Sequence, residues 1–184
     1  MFTKYYDFVN ETLNSCNESS NSTYSAGCVM LFFDFPEMKQ IHDVIDDAHV
    51  IDFEDEPHVT LLYGLDEQVT LDEVKEKLDK IQFGPIKVYN VSLFENDNDV
   101  LKFDVKYPTR GGAFLHKGNN LLKELPYESD YDEYLPHMTI CYLEKGTGKT
   151  YCDNMKDLEF TLKPQYAVFS QPDGTKTKIQ INVA

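Results

Sequence analysis

Tryptophan is absent from this 184-residue chain, so any flat ring it must hold falls to its 12 tyrosines and 12 phenylalanines. Basic charge is scarce: 17 Lys and Arg against 32 Asp and Glu give a formal net charge of −15. Affinity for long nucleic acid comes largely from neutralising many phosphates, so this balance argues against a polymer partner. A ligand with two or three phosphates stays compatible, because local donors outweigh a distant field that salt screens within about 8 Å. Cysteine is also sparse. Cys16, Cys28, Cys141 and Cys152 form no CxxC pair and no metal-finger spacing, which points to reduced thiols. No apolar run approaches membrane-spanning length, and Met1-Phe2-Thr3-Lys4-Tyr5-Tyr6 lacks a basic-then-apolar leader. The expectation is a cytoplasmic monomer with no membrane partner. The Asn-x-Ser/Thr sites at Asn10, Asn17, Asn21 and Asn90 then follow from local Asn and Ser richness alone.

One eight-residue pattern occurs twice. Pro57-His58-Val59-Thr60-Leu61-Leu62-Tyr63-Gly64 is matched by Pro136-His137-Met138-Thr139-Ile140-Cys141-Tyr142-Leu143, with the histidines 79 residues apart. Each follows an acidic, aromatic lead-in: Asp52-Phe53-Glu54-Asp55-Glu56 in one, Asp130-Tyr131-Asp132-Glu133-Tyr134 in the other. The apolar residues suit a pleated, half-buried surface, so both copies read as strands, each headed by a proline that tolerates its missing N–H there. Alternation puts His58 and Thr60 on one face, with Val59 and Leu61 on the other. By the same count His137, Thr139 and Cys141 share a face opposite Met138 and Ile140. Core-facing strand positions favour aliphatic residues, which gives the paired imidazoles and hydroxyls no structural reason to be there.

Taken in order, residues 1–13 read as a short amphipathic helix and 14–25 as a polar linker. The apolar run 27–35 is a buried central strand, and Pro36 starts a helix over 37–48. After the first motif strand at 57–64, Thr70 and Glu73 form a capping box for a helix over 71–81, with Val74, Leu78 and Ile81 inward. Residues 86–94 and 100–105 form a hairpin. A loop at 106–112, a helix over 113–124 with Phe114, Leu121 and Leu122, and the motif strand at 136–143 follow. Gly146-Thr147-Gly148-Lys149 reads as a flexible turn; its glycine spacing and context are not those of a phosphate-cradling loop. Residues 158–169 and 176–183 read as a last hairpin. The sum is a single α+β domain with an internal duplication, its halves near 27–105 and 106–184 after an N-terminal segment of 26 residues.

The two His-x-Thr motifs resemble the signature of the 2H phosphoesterase family. The whole chain, including Val29-Met30-Leu31-Phe32-Phe33-Asp34-Phe35, looks most like the branch of phage proteins that counter CBASS immunity by degrading cyclic oligonucleotide signals. The resemblance implies a duplicated fold whose two antiparallel sheets surround a central cleft, with helices outside. It also implies a metal-independent phosphodiesterase with no cofactor. Its substrates would be small molecules, cyclic di- and trinucleotides opened at a 3′–5′ bond.

Phosphodiester cleavage needs a base, an acid and stabilisation of the nonbridging oxygens. Two imidazoles with opposite protonation states supply the first two, and hydroxyl donors hold the phosphate in line. His58, Thr60, His137 and Thr139 are therefore the candidate catalytic residues. A near-symmetric pair leaves open which histidine is the base. The nucleophile is water or, for an intact 3′–5′ link, the adjacent 2′-hydroxyl. Candidates for stacking on bases are Tyr24, Phe94 and Tyr142, with Tyr63 the counterpart of Tyr142; Lys102, Arg110, Lys117 and Lys145 are candidates for outer phosphates. His42, His49 and His116 read as surface or helix residues, and Cys141 as a packed thiol. A metal site on His58 and His137 fits poorly, since threonine is a weak zinc ligand and the spacing is not that of a local cluster. No nucleophile elbow accompanies the histidines to support a Ser-His-Asp or Cys-His hydrolase. Two other functions use the same residues: an RNA-end or 2′,3′-cyclic-phosphate phosphodiesterase, and a protein that sequesters a cyclic nucleotide without cleaving it.

Overall fold

Strand β1 (Gly27–Phe33) is buried at every position, as its unbroken apolar run requires. Val29, Leu31 and Phe33 join the main core, whereas Cys28, Met30 and Phe32 form a smaller cluster with Val168, flanked by Tyr63 and Tyr166. The computed structural model describes residues 26–95, 97–107, 113–129 and 133–184. The expected helix over 1–13, the linker with Tyr24, and Arg110 lie outside the described residues.

Helix α1 (Met38–His42), a 3-10 turn (Asp47–His49) and β2 (Val50–Phe53) lead to the first motif strand, β3 (His58–Leu65). Helix α2 (Leu71–Leu78) carries the expected capping box of Thr70 and Glu73. The short β4 (Gln82–Phe83) precedes the hairpin of β5 (Ile86–Glu95) and β6 (Asp99–Lys106). Helix α3 (Phe114–Leu122) precedes the second motif strand, β7 (His137–Leu143). Helix α4 (Lys149–Met155) and strands β8 (Glu159–Leu162), β9 (Pro164–Ser170), β10 (Lys176–Gln180) and β11 (Asn182–Val183) follow.

Two antiparallel sheets organise these elements, in the orders β10-β9-β1-β3 and β2-β7-β6-β5-β8, with a small parallel pair of β11 and β4. Each sheet draws strands from both halves of the sequence. The last hairpin, β9–β10, pairs with β1, and the first-half hairpin, β5–β6, pairs with the second motif strand. One continuous core joins the sheets to the helices, with α3 against β3, α4 against β5 and α1 against β7.

Several boundaries differ from the sequence reading. The helix expected over 37–48 ends at His42 and resumes as a single 3-10 turn capped by Asp46, whose carboxylate accepts from the Ala48 N–H. The expected strand over 158–169 divides at Lys163, so that β8 pairs with β5 in one sheet and β9 with β1 in the other. The 146–149 turn is anchored, not loose. Asp99 is only 4% exposed, and its Oδ2 accepts from the N–H groups of Gly146 at 3.0 Å and Gly148 at 2.8 Å. A buried carboxylate needs such donors, and they fix the start of α4.

Candidate functional site

Both motif histidines are held in the same way. His58 Nδ1 donates to the Glu56 carbonyl at 2.8 Å, and His137 Nδ1 donates to the Leu135 carbonyl at 2.9 Å. A carbonyl only accepts, so Nδ1 carries the hydrogen in each ring and Nε2 is left for chemistry. The acceptor is the carbonyl two residues upstream in both copies, across a proline with no N–H of its own.

Each motif strand bulges immediately after its threonine. β1 pairs Met30 with Thr60 but Val29 with Leu62, so Leu61 is unmatched; β6 pairs Lys102 with Thr139 but Leu101 with Cys141, so Ile140 is unmatched. One extra residue reverses the alternation that follows it. Leu61, Leu62, Ile140 and Cys141 therefore all enter the main core, and the next tyrosine returns to the histidine side. Tyr63 packs on the Cys28–Met30–Phe32 cluster, and Tyr142 joins Val100 and Phe94. This corrects the face expected for Cys141: it is fully buried in the core, which pushes its thiol up to about 12.

The bulges are braced from across the molecule. The Leu61 carbonyl accepts from Asn119 Nδ2 at 2.7 Å, a side chain of α3, the helix that precedes the other motif. The Ile140 carbonyl accepts from His42 Nε2 at 3.0 Å, a side chain of α1, and from the Glu54 N–H at 3.1 Å. Tyr134 adds a further tie, its hydroxyl donating to the Thr60 carbonyl at 2.9 Å. His42, read as a surface or helix residue, ends α1 and is half-buried with a structural task, and burial lowers its pKa. Replacing Asn119 by leucine strands a buried carbonyl and is expected to lower stability by about 1–3 kcal/mol, read as a shifted urea midpoint at constant m.

The surroundings of the two imidazoles differ. His58 packs on Phe32 at 5.3 Å; Phe32 stacks in turn on Tyr166 at 5.2 Å, and Lys178 Nζ lies 3.5 Å over Tyr166. Glu54 Oε2 lies 3.9 Å from His58 Nδ1, and burial raises the pKa of that carboxyl. Thr60 touches the buried thiol of Cys28. His137 meets the Phe94 ring edge-on at 4.9 Å, and Lys102 Nζ stands 4.6 Å over the same ring. Lys102 also donates to Ser92 Oγ at 2.8 Å and to Asp104, which accepts from Asn90 and Ser92 as well. These hydrogen bonds hold the Asp104 carboxyl low against the burial that would raise it.

Strands β3 and β7 approach one another to within 8 Å between Cα atoms. Burial chiefly, and then the charges of Lys102 and His58, push His137 down to about 4. An unfolded imidazole accepts its proton near pH 6.5, about two units higher. The unfolded state therefore binds the extra proton between these values, and this contribution to stability is lost as pH falls from about 6.5 towards 4. Urea midpoints at pH 7 and pH 5 are expected to show the loss, and His137→Phe to reduce it.

Among the sequence candidates, Thr139 is 9% exposed, Tyr142 is 6% exposed, and Phe94 touches His137. Lys117 bonds the Lys80 carbonyl and Lys145 is exposed; His49 and His116 bond the hydroxyls of Tyr151 and Tyr107. The sequence reading missed Phe32, Tyr166, Asn119 and Glu54; only Glu54 carried a signal, in its acidic lead-in. A cavity of about 790 Å³ opens beside α1, lined by Asp34, Asp43, Asp46, Asp47 and Asp55 together with His42. None of the four motif residues lines it, and its aspartates repel phosphate. Among the described residues, no group of three or more His, Cys, Asp or Glu is arranged to hold a metal ion, and no helix is long and apolar enough to cross a membrane.

No protein-family model and no curated protein matches this sequence. Solved structures do. Usb1 of Kluyveromyces marxianus with uridine monophosphate matches at a TM-score of 0.57 and 10% identity, over 87% of this chain and 100% of that one. LigT of E. coli complexed with 3′-AMP matches at 0.51 and 12% identity, over 85% and 96% of the two chains. A structure described only as a phosphoesterase matches at 0.51 and 11% identity, over 84% and 95%. At identities this low the likeness shows the fold alone: α+β, with antiparallel sheets arranged as in those structures.

Proposed function

We propose that the protein is a metal-independent phosphodiesterase that opens the 3′–5′ bonds of cyclic di- and trinucleotides. The observation that carries this reading is the matched pair of motif histidines. Each is locked with Nδ1 protonated, and each has a threonine two residues on, on strands that approach closely. His58 and His137 act as the acid–base pair, and Thr60 and Thr139 donate to the nonbridging oxygens. The 2′-hydroxyl is the nucleophile for an intact 3′–5′ link, because it is already held next to the phosphorus. Phe94 and Tyr142 form one aromatic border of the site and Tyr63 another, suited to stacking on bases. The net charge of −15 favours a small nucleotide over a polymer. Resemblance to the phage branch of the family supports a role in disabling cyclic-nucleotide-triggered immunity.

A second reading, cleavage at RNA ends or of 2′,3′-cyclic phosphates, is favoured by the mononucleotides bound to structures of like fold, uridine monophosphate in Usb1 and 3′-AMP in LigT. Both are tested by incubating the protein, in excess EDTA, with a panel of cyclic di- and trinucleotides and a short linear RNA. Chromatography and mass spectrometry follow the products. Cyclic compounds turning into linear species with a 3′- or 2′,3′-cyclic phosphate is the expected result, unaffected by the chelator. Trimming of the RNA alone supports the second reading, and loss of activity to EDTA rejects both. Recovery of intact, tightly bound ligand establishes sequestration instead.

A further inference from the structure

We infer that the two histidines have fixed and different roles: Lys102 is a positioning residue that keeps His137 as the general base, while His58, backed by Glu54, is the general acid. The inference rests on the phosphodiesterase reading above. It comes from comparing the two motifs at matching register. Opposite Thr139 and His137, strand β6 presents Lys102 and Asp104. Opposite Thr60 and His58, strand β1 presents Met30 and Phe32. The second motif therefore faces a buried ion pair where the first faces apolar side chains.

Lys102 is 7% exposed and cannot swing away into water. Asp104, the residue opposite His137, is bonded to Lys102, Asn90 and Ser92. Three donors thus share its charge, and it offsets Lys102 only in part. The charged groups that act on His137 are Lys102 and Asp104 from β6 and His58 from β3; Phe94 of β5 completes the contact without charge. Lys102, the permanent positive charge among them, disfavours an imidazolium there.

The first motif places a carboxyl beside its ring instead. Four residues before His58, the Glu54 side chain is 13% exposed and sits 3.9 Å from Nδ1, an ion pair when the ring is protonated. Four residues before His137, Glu133 is exposed. In the resulting step, His137 Nε2 takes the proton from the 2′-hydroxyl as the O2′–P bond forms. The P–O5′ bond breaks, and His58 Nε2–H delivers its proton to O5′. The products are a 2′,3′-cyclic phosphate and a 5′-hydroxyl, and exchange with water restores both rings.

The test compares the natural substrate with a ribonucleoside 3′-(4-nitrophenyl phosphate), whose leaving group needs no proton. His58→Ala is expected to lose at least about 10²-fold on the natural substrate yet stay within about tenfold of wild type on the nitrophenyl diester. His137→Ala is expected to lose both. Sparing of His137→Ala, or equal losses in the two variants, overturns the assignment. Separately, Lys102→Met is expected to move the acidic limb of the kcat/KM–pH profile upward, and Lys102→Arg to leave it in place. A limb unmoved in Lys102→Met overturns the role of Lys102. Failure of wild type to cleave either compound rejects the phosphodiesterase reading itself, a result distinct from all of these.

Discussion

Alanine at either His58 or His137 is expected to lower turnover of the preferred phosphodiester by roughly 10²–10⁴-fold, the usual contribution of a positioned acid or base. Each ring donates Nδ1–H to a carbonyl of its own chain, so its orientation does not depend on substrate. What alanine removes is the Nε2 that would take or deliver a proton, together with an aromatic contact to Phe32 or Phe94. The double variant is expected to be little worse than the poorer single one, because both groups serve one step and their effects do not add. Steady-state rates measured beside thermal melts separate this loss from unfolding. Either single variant retaining more than a tenth of the wild-type rate, properly folded, would exclude the acid–base role.

Gly64→Ala is expected to be among the most destabilising single changes in the chain. Gly64 has φ of +102°, and a Cβ there would lie 1.9 Å from the Glu128 carbonyl oxygen. The Glu128 N–H also donates to the Gly64 carbonyl at 2.8 Å, so backbone is pressed against backbone. A left-handed φ alone costs a substituted residue about 1–3 kcal/mol, and the overlap adds to it. A loss on the order of 3 kcal/mol or more in urea unfolding is therefore expected. Gly146→Ala is the control: its φ is +84°, but nothing lies within 4 Å of the added carbon. It is expected to cost about 1 kcal/mol. Equal losses at the two sites would show that the contact with Glu128 is not the cause.

The repeat of Pro-His-x-Thr and the capping box at Thr70 were legible because they are local. Spacing of two residues puts a histidine and a threonine on one face whatever the rest of the chain does. Parity beyond the threonine was not legible. Alternation puts Tyr63 and Tyr142 on the core side, and only the partner strand's register reveals the bulges that return them to the histidines. The braces were hidden for the same reason. Asn119 and His42 reach carbonyls 58 and 98 residues away, and nothing in their own neighbourhoods announces it. In the sequence, Lys102 stands out among 17 basic residues only as a candidate for outer phosphates. Its meaning lies in sitting across from Thr139, a fact of pairing that composition does not contain.

The exchange of strands between the sheets has a consequence for any shortened form of the chain. A polypeptide ending near residue 107 would possess β1 and β3 without β9, and β5 and β6 without β7. With β8 missing too, β1, β2, β5 and β6 would each lose a hydrogen-bonded neighbour, and the Leu61 carbonyl would lack Asn119. Neither sheet can therefore be completed from one half of the sequence, and a chain cut between the halves would expose edges that the intact chain pairs.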